Sequence, residues 1–326
     1  MRHATIIGTG SYVPNNVMTN EDMAKLVDTS DEWIVSRTGI KERRISTGEM
    51  TSDLAYEAAN RALKNANMDA KDIDLIICAT ITPDSVMPAV ACIVQDKLGA
   101  VKAAAFDLTA ACTGAIYAMV TATAFIESGM YQNVLVIGAE TVSKALDWTD
   151  RSTCVLFGDG AGAMVLTASE EKTGIMSTNL FSDGSKQSFL CLPAVPLSNP
   201  YVKLENEGYH PTITMNGQEV FKFAVRRITE HINTVITKAN LTAGDIKYIV
   251  PHQANCRIIE HAAKSSGIPL EKFFMNLDRY GNTSAATIGI ALDEMVQNNM
   301  IQQGDKLILI AFGAGLTSGA VLLEWM

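Results

Sequence analysis

One of six cysteines, Cys112, lies in Asp107-Leu108-Thr109-Ala110-Ala111-Cys112-Thr113-Gly114, where an apolar strand pattern ends and the helical pattern AIYAMVTATAFIESG begins. A thiol at a helix start meets unpaired backbone N–H groups and the positive end of the helix dipole. Both favour thiolate and nucleophilic attack on a carbonyl carbon. A buried packing cysteine fits the same local sequence. His252, in Val250-Pro251-His252-Gln253-Ala254-Asn255, closes another apolar run, where active-site groups of α/β proteins gather. Asn282 opens a second helical pattern in Tyr280-Gly281-Asn282-Thr283-Ser284-Ala285-Ala286, as a donor or as a cap. The glycine-rich turn Phe312-Gly313-Ala314-Gly315-Leu316-Thr317-Ser318-Gly319 is of a kind that aims backbone N–H groups at an oxyanion. Neither this turn nor Gly8-Thr9-Gly10 nor Gly158–Gly162 has the G-x-G-x-x-G spacing of a dinucleotide loop. His3, His210, His231 and His261 lack such context and read as structural. No Cys-x-x-Cys pair signals a metal or redox motif.

The elements that must position these groups come from a duplication. ANMDAKDIDLIICAT (66–80) matches ANLTAGDIKYIVPHQ (239–253) at an offset of 173, and NVLVIGA (133–139) matches KLILIAF (306–312) at the same offset. Each copy reads as a helix end, a turn and a short apolar strand. Helical patterns at roughly 112–129 and 285–300 precede the second strand of each copy. Short apolar runs between longer helical patterns argue α/β with buried sheets. The expected architecture is two similar layered halves, 1–173 and 174–326, related by a pseudo-twofold. At offset 173, Cys112 falls on Ala285 and His252 on Ala79. The twofold would therefore bring two helix starts together at the centre, and the histidine is an addition to one copy only.

The chain of 326 residues, 48% hydrophobic and 19% charged, is long enough to bury one core or two. A net charge of −9 disfavours broad nucleic-acid binding. No stretch has the pattern of a signal peptide, and the apolar runs are too short to span a bilayer. The expectation is a cytoplasmic protein without membrane insertion and without disulfides.

Taken together these motifs resemble the thiolase-fold condensing enzymes, and specifically the β-ketoacyl-acyl carrier protein synthase III family. The resemblance runs end to end through DTSDEWIVSRTGIKERR (28–44), AACTG (110–114), DWTDRSTCVLFGDGAGA (147–163), MNGQEVFKFAV (215–225), PHQANCRI (251–258) and YGNTSAA (280–286). It implies an αβαβα thiolase-like fold and the initiating condensation of type II fatty acid synthesis. Cys112 would carry an acyl group from acyl-CoA, and His252 and Asn282 would stabilise the enolate formed by decarboxylation of malonyl-acyl carrier protein. The backbone N–H groups of Cys112 and Ala314 would form the oxyanion hole. Thr29, Trp33, Arg37, Arg151, Gly217, Phe221 and Asn255 would bind CoA, with the adenine between Trp33 and Arg151. Met87 would reach the acyl pocket of a partner subunit. Lys222, Arg226 and Arg257 would dock the acidic carrier protein. The resemblance further implies a homodimer and no cofactor beyond the two thioester substrates. Ala115, Leu316 and Ser318 stand where the family often has larger residues, which raises the expectation of a primer pocket open to longer or branched chains. Two other readings are a related Cys/His/Asn synthase making a specialised ketide and a non-catalytic subunit that binds acyl carriers.

Overall fold

The duplicated segments become two sheets of one design, seen in a computed structural model that describes residues 2–171, 173–203 and 211–326. His210 lies outside the described residues. The first sheet runs His3–Tyr12, Asp159–Ser169, Asn133–Thr141, Leu75–Ala79, Ala104–Leu108. The second runs Gly174–Ser182, Thr317–Glu324, Lys306–Gly313, Ile246–Pro251. In each sheet the first two pairings are antiparallel and the third parallel. The first sheet adds a fifth, parallel strand, and the second has only a single parallel bridge, Ile249 to Phe273, at that place.

Leu75–Ala79 illustrates why these runs are strands. All five residues are buried, and they alternate between two cores: Leu75, Ile77 and Ala79 face one, Ile76 and Cys78 the other. A strand covered on both faces needs this continuous apolar run rather than a polar–apolar alternation. The central core also takes in the helices Gly114–Glu127 and Thr287–Gln297, which lie between the sheets. Thr51–Asn65 and Val90–Leu98 cover the outer face of the first sheet. Gly217–Lys238 and Cys256–Ser266 cover that of the second. The result is the five-layered αβαβα thiolase-like arrangement. The halves share more than their shape: Met23, Ile34, Ile40, Cys154 and Val155, from the first half of the sequence, are buried in the second sheet's outer core.

Both central helices start later than the sequence patterns indicate. Each is preceded by a 3-10 turn, Ala111–Thr113 and Ser284–Ala286. The glycine-rich Gly158–Gly162 is largely strand, and its glycines allow close packing. A Cβ on Gly162 would stand 2.5 Å from the backbone of Gly289 in the second central helix. That accounts for the glycines without a nucleotide.

Candidate active site

Cys112 sits in the 3-10 turn between the strand Ala104–Leu108 and the helix Gly114–Glu127. The turn is sharp because Ala111 adopts φ +47°, and its duplicate, Ser284, adopts φ +50°. Left-handed backbone at non-glycine residues costs about 1–2 kcal/mol each, which marks sites that the surrounding structure enforces. The two turns meet: the Cys112 thiol donates to Ser284 Oγ at 3.5 Å. Gly313 closes the second-sheet strand against the first turn, where a Cβ would lie 2.8 Å from Cys112 N. The 313–315 loop is thereby held beside the cysteine.

The other two groups are aimed by hydrogen bonds. The Asn282 backbone is clamped from both sides, donating to Leu156 O at 2.9 Å and accepting from Gly158 N at 3.1 Å. Asn282 Oδ1 accepts from Ser284 N at 2.9 Å, so its Nδ2 is left to face the cavity. His252 follows the strand Ile246–Pro251, is buried, and packs edge-on against Phe312 at 5.2 Å between ring centres. Its Nδ1 bonds the Thr287 hydroxyl at 2.7 Å, and that hydroxyl donates to Ser284 O at 3.0 Å. With its one proton on Ser284 O, Thr287 accepts from Nδ1–H and Nε2 faces the cavity as an acceptor; turned to Nδ1 instead, it leaves the ring proton on Nε2.

Burial governs protonation here. It pushes the Cys112 thiol up to about 12, with Glu140 adding to the rise and the Ser284 hydrogen bond opposing it. The low thiol value expected from a helix start is therefore corrected: Cys112 is enclosed and lies one turn ahead of the helix, and desolvation of the anion prevails. Burial alone takes His252 down to about 3, so the imidazole is neutral. Glu140, buried behind the cysteine, is lifted by burial to about 6 despite hydrogen bonds from Thr82, Ile81, Ser284 and Thr80.

Two cavities meet at Cys112. The outer one is lined by His252, Asn282, Gly217, Phe221 and Asn255 as well as the cysteine. The inner one, about 30 Å³, is lined by Ile81, Val142, Leu190, Cys191, Ile213 and Ala314 among others. Ala115, Leu316 and Ser318 line neither cavity, and Ser318 instead hydrogen-bonds His231 Nε2 at 2.9 Å. Met87 is 85% exposed and also lines neither cavity of its own chain.

At the protein surface, Ser30 caps the helix Asp31–Thr38 and Gly39 ends it at φ +82°. Trp33 carries two guanidinium groups, Arg37 at 4.5 Å and Arg151 at 5.0 Å from its ring centre. Arg151 is tied to the Asp28 carbonyl at 2.6 Å, and Thr29 Oγ1 is buried without a hydrogen-bond partner among the described residues. Asn255 caps the helix Cys256–Ser266 and donates to Arg37 O at 3.0 Å, joining this surface to the outer cavity. Arg257 donates to Ser36 O at 2.8 Å. Lys222 and Arg226 are paired, with Glu219 at 2.7 Å and Glu230 at 2.8 Å. Among the described residues no cluster of three or more His, Cys, Asp or Glu side chains is placed to hold a metal ion.

The family models for 3-oxoacyl-[acyl-carrier-protein] synthase III match residues 106–184, and residues 236–325 for its C-terminal part. A curated relative, the β-ketoacyl-[acyl-carrier-protein] synthase III of Clostridium acetobutylicum, is 55% identical over 326 residues, 100% of this chain and 99% of the relative. The chain belongs to the β-ketoacyl-acyl carrier protein synthase III family. It is an acyltransferase, the condensing enzyme that initiates fatty acid synthesis. Among solved structures, 3-oxoacyl-[acyl-carrier-protein] synthase III from Aquifex aeolicus aligns with a TM-score of 0.91 at 49% identity over 99% of this chain and 100% of that one. The Thermus thermophilus counterpart aligns with a TM-score of 0.92 at 47% identity over 99% of both chains. The specialised-ketide and binding-only readings are not favoured by these relatives.

Sequence reasoning brought Cys112, His252, Asn282 and Ala314 to one junction. It missed Ser284, Thr287 and Glu140, whose hydroxyls and carboxylate organise that junction. The duplication held a signal for Ser284, which falls opposite Ala111 at offset 173. Nothing local distinguishes Glu140, a single acid at the end of an apolar strand. The inner cavity's Leu190, Cys191 and Ile213 belong to or adjoin a two-residue strand pair, Leu190–Cys191 with Thr214–Met215, too short to show a periodicity.

Proposed function

We propose that Cys112 is the nucleophile of a two-step exchange. It takes an acyl primer from acyl-CoA and then yields it to the carbanion formed when malonyl-acyl carrier protein loses CO2. The observation that carries this reading is the convergence of Cys112, His252 and Asn282 on one cavity, with a smaller apolar cavity continuing behind the sulfur. The Asn282 Nδ2 is one donor for the thioester oxygen as it becomes an enolate, and the neutral imidazole is the second once Thr287 turns its proton from Ser284 O to Nδ1 and the ring proton stands on Nε2. The backbone N–H groups of Cys112 and Ala314 serve the tetrahedral oxyanion on the other side. The chemistry balances with the two thioesters and needs no cofactor.

The route for CoA runs from Trp33 to the sulfur through Asn255, Phe221 and Gly217. Arg151 swings off the Trp33 ring to admit the adenine, Arg37 contacts the nucleotide, and the unpartnered Thr29 hydroxyl gains a partner. The acidic carrier protein docks on Lys222, Arg226 and Arg257, drawing the first two from their pairs with Glu219 and Glu230. Exposed pairs of this kind are worth about 0–1 kcal/mol, so exchange is easy. The halves 1–173 and 174–326 work as a nucleophile half and a donor half. The enzyme acts in the cytoplasm as a homodimer in which Met87 completes the partner's acyl pocket. The inner cavity, with room for about two waters, suits a short primer.

Incubation with acetyl-CoA followed by peptide mass spectrometry tests the assignment. An acetyl group on the Cys112 peptide, discharged on adding malonyl-acyl carrier protein, is the expected result. An unmodified Cys112 during turnover would overturn it.

A further inference from the structure

Glu140 lies near the end of the strand Asn133–Thr141, entirely enclosed, and the chemistry above does not use it. Its carboxylate accepts from the N–H groups of Ile81 and Thr82 at 3.1 Å each, from Thr80 Oγ1 at 3.2 Å and from the Thr82 hydroxyl. Its remaining donor comes from the other half of the molecule: Ser284 Oγ, at 3.0 Å. Ser284 in turn accepts the Cys112 thiol at 3.5 Å. All the donors in this line point one way, from sulfur to hydroxyl to carboxylate. An enclosed carboxylate costs several kcal/mol, and the Ile81–Thr82 turn alone does not account for one whose free end meets the nucleophile's neighbour.

The other titratable groups that face Glu140 are Cys78 on the adjacent strand, Cys112, and Lys144 beyond the end of its own strand. The Lys144 ammonium donates to the carbonyls of Thr82 at 2.9 Å and Pro83 at 2.8 Å and makes no ion pair with the carboxylate. Among the described residues no cation pairs with Glu140, and burial lifts it to about 6, where a group exchanges protons readily at neutral pH. His252, held neutral down to about 3, is poorly suited to keep a proton.

We propose that Glu140, acting through Ser284, stores the Cys112 proton between the two half-reactions. The inference rests on the reading of Cys112 as nucleophile. As the S–H bond breaks, its proton bonds to Ser284 Oγ, and the proton already on Ser284 moves to Glu140 Oε1. The thiolate attacks the acyl-CoA carbonyl, and the CoA thiolate leaves and takes a proton from solvent. In the second half the tetrahedral adduct expels Cys112 as thiolate, and the stored proton returns along the same two bonds. Ser284 touches the reacting sulfur. Glu140 touches no reacting atom and is a positioning residue, orienting Ser284 and receiving its proton.

The test measures the two half-reactions separately in Glu140→Gln, Glu140→Asp and Ser284→Ala: acetylation of Cys112 by mass spectrometry, and CO2 release from malonyl-acyl carrier protein. Glu140→Gln and Ser284→Ala should slow acetylation about 100-fold at neutral pH, with the rate rising with pH as hydroxide takes over, while CO2 release stays within about threefold. Glu140→Asp, which keeps a carboxylate, should recover part of the rate. Acetylation at the unaltered rate and pH profile, or equal losses in both half-reactions, would overturn the storage role. If Glu140→Gln does not fold, Ser284→Ala decides by the same two measurements. Absence of any Cys112 adduct in the unaltered protein would instead overturn the nucleophile reading, and the storage role with it.

Discussion

Two side chains at the cavity junction owe their protonation to burial more than to each other. Cys112 is held as thiol up to about 12 and His252 as neutral imidazole down to about 3. On the proposed reading this divides the labour: the sulfur must be deprotonated at the moment of attack, while the imidazole serves as an uncharged donor. Removing the sulfur nucleophile by Cys112→Ser should abolish acyl transfer, because a serine hydroxyl ionises far less readily in the same enclosure. His252→Ala and Asn282→Ala should each cut decarboxylation about 100- to 1000-fold, the usual cost of one oxyanion donor, and cut acylation less. Stopped-flow CO2 release set against adduct formation separates the two. A normal decarboxylation rate in Asn282→Ala would remove that residue from its assigned role. Cys112 and His252 were readable in sequence because each follows an apolar run, where chemistry-bearing types are conspicuous, and Asn282 because it opens a helical pattern. Ser284, Thr287 and Glu140 were not, because they act through contacts 35 to 172 positions apart that no local pattern encodes.

At the level of elements, the duplication carried most of the fold. A shared offset of 173 anticipated paired strands, and the structure adds left-handed residues at Asn67 and Asn240 and at Ala111 and Ser284, both pairs at that spacing. The sequence patterns placed the central helices but not their 3-10 leaders, since a tight turn and a helix share the same apolar residues. Segments from 18–40 and 148–156 cross into the second sheet's outer core, which the repeated stretches do not disclose because these segments lie outside them. The close approach of Gly162 and Gly289 yields a prediction at this scale. A Cβ on Gly289 would meet Gly162 backbone atoms at 2.7 and 2.8 Å, with no flexible side chain to yield. Gly289→Ala should therefore destabilise the protein by about 1–3 kcal/mol, as overpacking does. The midpoint of urea denaturation reads the loss directly, and an unchanged midpoint would mean that strand and helix separate without cost.

Across the whole molecule, the net charge of −9 repels an acidic carrier, so productive docking must be local. Lys222→Glu with Arg226→Glu should raise KM for malonyl-acyl carrier protein at least about tenfold, chiefly through slower association. The acetylation rate from acetyl-CoA should hold. Added salt should weaken the unaltered enzyme's use of its carrier and flatten the difference between the two proteins. Equal losses with both substrates would mean the helix Gly217–Lys238 had been distorted rather than its surface recharged.

The pH dependence of stability belongs to the same scale, because it sums buried groups from separate parts of the fold. His252 at about 3 and His231 at about 4 are both depressed below the ordinary imidazole value of 6.5 by burial, with Arg227 adding to the effect at His231. Between those limits the unfolded chain binds protons that the folded chain refuses, so stability falls as pH drops from about 6.5. Glu140, raised to about 6 from 4.5, works the other way over its narrower window, because there the folded chain holds the extra proton. Asp107 and Asp159, also raised by burial, act in the same direction as Glu140, while the imidazole contribution is the one that begins at about 6.5. His231 lies outside the cavities, bonded to Asn179 at 2.8 Å and Ser318 at 2.9 Å, so it can be changed without touching the chemistry. Its share of the loss at pH 5 is about 1–2 kcal/mol. His231→Gln should therefore lose less Tm than the unaltered protein when pH is lowered from 7 to about 5, whatever its stability at pH 7. Parallel Tm curves for the two proteins would show that His231 takes up its proton in the fold and that its burial carries no such penalty.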